Sequence, residues 1–188
     1  MKIVFATGNP HKLEEVNAIV EGSGIEFVLP PKGFDPIEDG NTFEENSYIK
    51  AKAANDLSHQ MSLADDSGLC IDFLGGAPGI YSARYAGTQQ EKIDKILSEL
   101  DGVENRAAHF VCCMTLLDKD GNKLFQTCGE CLGSIIKEAK GINGFGYDPI
   151  FEVEGRGITM AEMSEEEKNK VSHRANALNK VVEFLAKR

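Results

Sequence analysis

Asp65 and Asp66 stand side by side where the apolar Leu63-Ala64 runs into Ser67-Gly68. Adjacent carboxylates at a strand end repel each other unless a cation or solvent offsets the charge. Hard oxygen ligands of this kind suit Mg2+, which bridges carboxylates to phosphate oxygens. Glu38, in the loop segment Glu38-Asp39, is a further candidate ligand. A second polar segment, Thr7-Gly8-Asn9-Pro10-His11-Lys12, separates a strand-like stretch from a helical pattern. Backbone N–H groups at such a helix start attract anions. Lys12 in the first turn opposes the helix dipole by about 0.3–1 kcal/mol, which a bound phosphate would offset. The segment is neither GxxxxGK[ST] nor GxGxxG, so kinase, GTPase and dinucleotide assignments lose support. Taken alone, either segment also reads as a plain turn.

Two further segments carry possible binding chemistry. Gly144-Phe145-Gly146-Tyr147-Asp148-Pro149 can present Phe145 as a face on which a nucleobase stacks, worth roughly 1–3 kcal/mol, with Asp148 to accept from a ring N–H. Lys168 and Ser172-His173-Arg174 are expected on the last helix, Lys168 and Ser172 sharing a face by their i, i+4 spacing. The alternatives are a loop anchored in the core and a solvated helix face. Cys128-x-x-Cys131 has no second CxxC, and Cys112-Cys113 lies in a strand whose neighbours alternate sides, so these cysteines are expected to be buried structural thiols. His59 and His109 have no companion at metal-ligand spacing.

These segments need elements to hold them. Ile3 to Ala6 and Ile25 to Leu29 read as strands around a helix bearing Leu13, Val16, Ile19 and Val20, which favours an α/β fold. Thr42-Phe43-Glu44-Glu45, Thr88-Gln89-Gln90-Glu91 and Ser164-Glu165-Glu166-Glu167 are capping-box patterns that predict three helix starts, the first helix reaching Ser58. His109 to Leu117, the turn Asp118 to Asn122 and the return Lys123 to Cys128 form a hairpin, and hence a mixed sheet.

The length of 188 residues suits one domain, and 41% hydrophobic with 27% charged residues can bury a core. A net charge of −10 argues against a general binder of nucleic acid or anionic membrane, which needs a broad cationic face. It leaves room for a small anion held by a metal ion and a few donors. The apolar runs are too short for a membrane span, the opening stretch breaks too early for a signal peptide, and five cysteines suggest a reducing cytoplasm.

Together the segments resemble the inosine triphosphate pyrophosphatase family, the non-canonical purine nucleoside triphosphate pyrophosphatases. The matching stretches are Ala6 to Lys12, Thr42 to Asn46, Ala64 to Leu69, Leu74 to Tyr85, Gly144 to Phe151 and Ala161-Glu162-Met163 through Lys168 to Arg174, in the family's order over nearly the whole chain. The resemblance implies a two-lobed single α/β domain over residues 1–188, with a long mixed sheet flanked by helices and an active-site cleft between lobes. It implies Mg2+-dependent hydrolysis, with Mn2+ as a substitute metal, of ITP, dITP and XTP to the monophosphate and pyrophosphate, by a homodimer. Under it, Thr7, Gly8, Asn9, Pro10, His11 and Lys12 contact phosphates and Ser67 touches substrate. Glu38 and Asp66 hold the metal, with Asp66 also the base. Phe145, Gly146, Tyr147, Asp148, Lys168, His173 and Arg174 form the nucleobase pocket. Rival readings are a Maf-type nucleotide pyrophosphatase, a non-catalytic nucleotide- or RNA-binding module, and a dithiol redox protein.

Overall fold

The computed structural model describes residues 1–188. The chain forms β1 (Lys2–Phe5), α1 (Pro10–Ile19), β2 (Glu26–Val28), α2 (Phe43–Ser58), β3 (Ser62–Ile71), α3 (Gln89–Glu99), β4 (Ala107–Leu117), β5 (Lys123–Ile135), β6 (Phe151–Val153), α4 (Glu165–Val171) and α5 (His173–Ala186), joined by loops and short 3₁₀ turns. The caps explain the helix starts. Thr42, Thr88 and Ser164 each accept the backbone N–H three residues on, satisfying a donor that the helix itself leaves open. Asn9 caps α1 through the His11 N–H, with Pro10 in the first turn.

The strands form one mixed sheet in the order β2-β1-β3-β4-β5-β6. Strand β1 runs parallel to β2 and β3, and β5 antiparallel to β6. The α/β class and mixed sheet expected from the sequence are therefore present. By contacts the residues divide into two compact units: Met1–Asp66, Cys112–Gly129 and Arg174–Arg188, and then Ser67–Val111 with Glu130–His173. Each has its own core.

In the first unit the period-2 alternation of a strand decides which helix covers which side. Ile3, Phe5 and Leu63 pack with Val16 and Val20 near the end of α1 and with Leu178 of α5. Val4, Ala6 and Ala64 point the other way, against Ala51 and Ala54 of α2. The second unit gathers Leu69, Ile71, Ile93, Ile96, Phe110 and Phe151 around α3 and β6.

Several expectations change. Asp65 and Asp66 do not end a strand or form a turn; β3 continues through them to Ile71, because Leu69 and Ile71 go on to bury core-facing side chains. The return strand of the hairpin runs past Cys128 to Ile135. Gly133 permits this, since a Cβ there would overlap the Phe151 ring and the Glu152 carbonyl of β6. The last helix is two: buried Ser172 is extended (φ −65°, ψ 152°), so Lys168 and Ser172 do not share one continuous helical face. The cysteines are not all structural thiols. Cys113 of β4 is disulfide-bonded to Cys128 of β5, while Cys70, Cys112 and Cys131 are buried outside that disulfide. Cys131 is three residues from Cys128 along β5, an odd offset that turns it to the opposite face, so the CxxC spacing cannot bring the two together.

Candidate active site

The alternation along β3 sends the two neighbouring aspartates to opposite sides of the sheet, so they do not share a cation as the sequence pattern suggested. Asp65 follows Leu63 toward α1 and α5. Its carboxylate accepts from Arg174 Nε at 3.2 Å and lies 3.7 Å from Lys12 Nζ. Arg174 in turn donates to Glu15 at 3.0 Å. Burial works against charge on Asp65, but Lys12, Arg174 and Lys50 more than offset it and hold the carboxyl far below its ordinary range. On Lys12 the attraction of Asp65 is the largest influence, yet burial and the nearby Arg174 and Lys50 together lower its pKa.

Asp66 follows Ala64 toward α2, and its surroundings are different. Its Oδ2 is buried and has no hydrogen-bond partner. Burial pushes its pKa up to about 6; Glu38 adds to the rise, while Lys50 and a hydrogen bond with Asn46 oppose it. Lys50 Nζ lies 3.5 Å from Glu38 and donates to the Asp65 carbonyl at 2.7 Å. Burial disfavours the Lys50 charge, but Asp65, Glu38 and Asp66 raise its pKa overall. A half-exposed Glu38 and an Asp66 with an orphaned oxygen form the hard, anionic donor set that suits Mg2+ or Mn2+. The residues fit such an ion.

The Thr7–Asn9 bend is closed by its own hydrogen bonds, and Pro10 to Lys12 form the first turn of α1. Thr7 donates its N–H to the Phe5 carbonyl, and Asn9 donates its own to Thr7 Oγ1. Those two N–H groups, expected to face phosphate, are spent within the loop because the short strand-to-helix bend needs them. Gly8, Pro10 and His11 are exposed, His11 beside Glu14.

The second unit carries a separate constellation. Lys168 Nζ donates to Asp148 at 2.8 Å and sits 4.7 Å from the centre of the half-exposed Phe145 ring, a cation–π contact. Asp148 also accepts from the Phe145 N–H, and Gln89 Oε1 accepts from the Gly146 N–H. The loop is thereby held at Phe145 and Gly146. A Cβ on Gly144 (φ +70°) would overlap Asp148 Oδ2 and come to 3.3 Å from Lys168 Nζ. Gly144→Ala is accordingly expected to cost about 1–3 kcal/mol through strain and a displaced ion pair, read as a lower midpoint in urea unfolding.

Tyr147 is buried, and its hydroxyl donates to the Ser82 carbonyl, so it fixes the loop and presents no free donor. His173 stacks on Phe110 at 4.8 Å. Ser67, partly buried, follows Asp66 in β3. The residues expected around the base thus divide: Phe145, Gly146, Tyr147, Asp148, Lys168 and His173 belong to the second unit, whereas Arg174 belongs to the first, with its guanidinium bonded to Asp65 and Glu15. Lys50, Asn46, Glu15 and the pairing of Asp65 are absent from the sequence-based site. Asn46 and Lys50 leave one trace, polar residues four apart in line with Ala54 on the buried face of α2.

The Ham1 family model matches residues 3–184. A dITP/XTP pyrophosphatase of Treponema denticola is 47% identical over 194 aligned positions, covering 98% of this chain and 98% of its own. One of Bacillus subtilis is 47% identical, covering 97% and 96%. Among solved structures, the Ham1 protein of Staphylococcus aureus superposes with a TM-score of 0.89 at 38% identity, covering 100% of this chain and 99% of its own. That of Coxiella burnetii gives 0.87 at 38% identity and full coverage of both. A family model spanning almost every residue, and relatives this close over their whole lengths, lead to one conclusion: this chain belongs to the Ham1 family.

Proposed function

We propose that this chain is a nucleoside triphosphate pyrophosphatase that hydrolyses dITP, XTP and ITP to the monophosphate and pyrophosphate. The observation that carries the reading is Asp66, a raised, partly shielded carboxyl with one unpartnered buried oxygen, beside Glu38 and Lys50. Its class of activity is that of the dITP/XTP pyrophosphatases to which the chain is 47% identical.

In this mechanism Glu38 and Asp66 would hold Mg2+, or Mn2+ in its place, which when bound would neutralise phosphoryl charge and lower the pKa of water. Asp66 accepts a proton from the water that attacks the α-phosphorus. Without metal, burial raises its pKa to about 6, so the carboxyl is ionised at neutral pH. Lys50 keeps its charge against burial and sits where an anionic substrate would find it beside Glu38. Lys12, on the first turn of α1, adds a second cation for the phosphates. Pyrophosphate leaves as a stable anion, so the chain's task is to position and to neutralise charge. A protein of net charge −10 binds a polyanion because these cations act locally.

Base choice rests on Phe145 as a stacking face and Lys168 as donor to a 6-oxo group. Adenine offers an amino donor there, which would face the Lys168 ammonium donor to donor. A site built to satisfy one group rejects its absence by about 10⁴–10⁵. The same reading takes the enzyme to be a cytoplasmic homodimer, which sedimentation velocity checks. No helix is long and apolar enough to cross a membrane.

The direct test is incubation with Mg2+ and, separately, ITP, dITP, XTP, GTP, ATP and dTTP, with products identified by anion exchange. Monophosphate plus pyrophosphate from the first three substrates is expected. Diphosphate plus phosphate, or equal turnover of ATP, would overturn the proposal.

A further inference from the structure

The disulfide between Cys113 and Cys128 lies outside everything the proposed reaction uses, and its surroundings give it a consequence. Cys113 is buried on β4, whereas Cys128 on β5 is partly exposed. The three cysteines outside the disulfide, Cys70, Cys112 and Cys131, are all buried. Cys128 Sγ is 3.4 Å from Glu44 Oε1, in the first turn of α2. That turn is tied to the hairpin at further points: Gln126 Nε2 donates to the Glu44 carbonyl at 3.1 Å and to Thr115 Oγ1 at 2.8 Å, and Ser47 Oγ pairs with Thr115 Oγ1 at 2.7 Å. The same turn carries Asn46, whose side chain holds the Gly40 N–H at 2.9 Å and hydrogen-bonds Asp66.

We propose that Cys113 and Cys128 form a reversible thiol–disulfide modification site, oxidised by hydrogen peroxide and reduced by a small dithiol, whose state sets the firmness of the first turn of α2. As a thiol, Cys128 has a proton to donate to the Glu44 carboxylate. As half of a disulfide it has none, so the two states differ by one interaction at that turn. Oxidation starts at the accessible sulfur. The Cys128 thiolate attacks one peroxide oxygen and the O–O bond breaks, giving the sulfenic acid and, with a proton, one water. The Cys113 sulfur then attacks the sulfenic sulfur, the S–O bond breaks, and the departing oxygen leaves as a second water carrying the thiol proton. Two thiols and one peroxide become a disulfide and two waters. In reduction, one thiolate of the dithiol attacks Cys128 Sγ, and Cys113 leaves as thiolate and takes a proton; the second dithiol sulfur, as thiolate, then attacks the first, closing the reductant's own disulfide while Cys128 leaves as thiolate and takes a proton.

For the reacting end, the consequence through Asn46 and Asp66 depends on the proposed function; the site and its effect on α2 do not. The test therefore reads chemistry and turn, not turnover. The full chain is reduced with dithiothreitol, desalted, and divided with or without stoichiometric hydrogen peroxide. Each half is then denatured and alkylated for peptide mass mapping, and analysed natively by hydrogen exchange. The expected result is five alkylated thiols before peroxide and three after, with one cross-link joining Cys113 to Cys128, reversed by dithiothreitol. Amides of residues 44–47 should exchange about two- to tenfold faster in the oxidised form, the range that one net hydrogen bond allows. Cys128→Ser should keep its exchange unchanged by peroxide. Five thiols persisting after peroxide, a cross-link between other cysteines, or identical exchange of residues 44–47 in the two forms would each overturn the proposal.

Discussion

Asp66→Asn is expected to lower turnover about 10²–10⁴-fold through loss of a general base, more if metal binding also fails, while making the metal-free protein more stable at neutral pH. The second effect follows from linkage. Burial raises the Asp66 pKa from 3.8 to about 6 in the fold. Between those values the folded state binds more protons than the unfolded one, so stability falls as pH rises through this window. Above about pH 6 the ionised carboxylate carries its full cost, and asparagine removes it. The gain is at most about 3 kcal/mol, or roughly 6–12 °C in Tm for a protein of this size. In excess Mg2+ the order reverses, because a bound ion stabilises only the protein that holds it. Melting curves of both proteins with Mg2+ and with EDTA, beside initial rates on XTP, check both halves. Near-normal turnover in the variant would remove Asp66 from the chemistry.

Asp65→Asn, one residue earlier, is expected to act in the opposite sense. Asp65 is fully buried against Arg174 and Lys12. Removing its charge strands the Arg174 guanidinium, itself 2% exposed, with fewer anions than it needs. Breaking a buried pair this way costs about 3–5 kcal/mol, whereas replacing both partners by apolar residues is often far milder. Asp65→Leu combined with Arg174→Met should therefore recover part of the loss, seen as the urea midpoint of the double variant rising above that of Asp65→Asn. The same pairing predicts acid sensitivity. The folded pKa lies below the unfolded 3.8, so the contribution is complete above that value and lost as pH falls below it. Equal midpoints for Asp65→Asn and the parent protein would contradict this placement.

The opposite behaviour of two neighbouring aspartates also shows where the sequence could be read and where it could not. Thr42, Thr88 and Ser164 announce their helices because a cap is a local event, closed within three residues. The Thr7–Lys12 bend and the Gly144–Asp148 loop were legible for the same reason, since glycine and proline mark turns directly. The partners of Asp65 were not: Arg174 is 109 positions away, and only the order of strands and helices brings the two together. Nor did the sequence indicate that Asp66 faces α2, because that depends on β3 continuing to Ile71 and so on alternation through its whole length. The break at Ser172 was invisible to periodicity, as the apolar pattern on its two sides is compatible with one helix. The cross-strand pairing of Cys113 with Cys128 depends on hairpin register, which cysteine spacing does not encode.

The central claim is that water strikes the innermost phosphorus with Asp66 taking its proton. Turnover of XTP in H2(18)O, followed by mass spectrometry of both products, tests it most directly. The account predicts one 18O in the xanthosine monophosphate and none in the pyrophosphate at the moment of cleavage. Label in the pyrophosphate, with unlabelled monophosphate, would put the attack on the β-phosphorus and contradict the account.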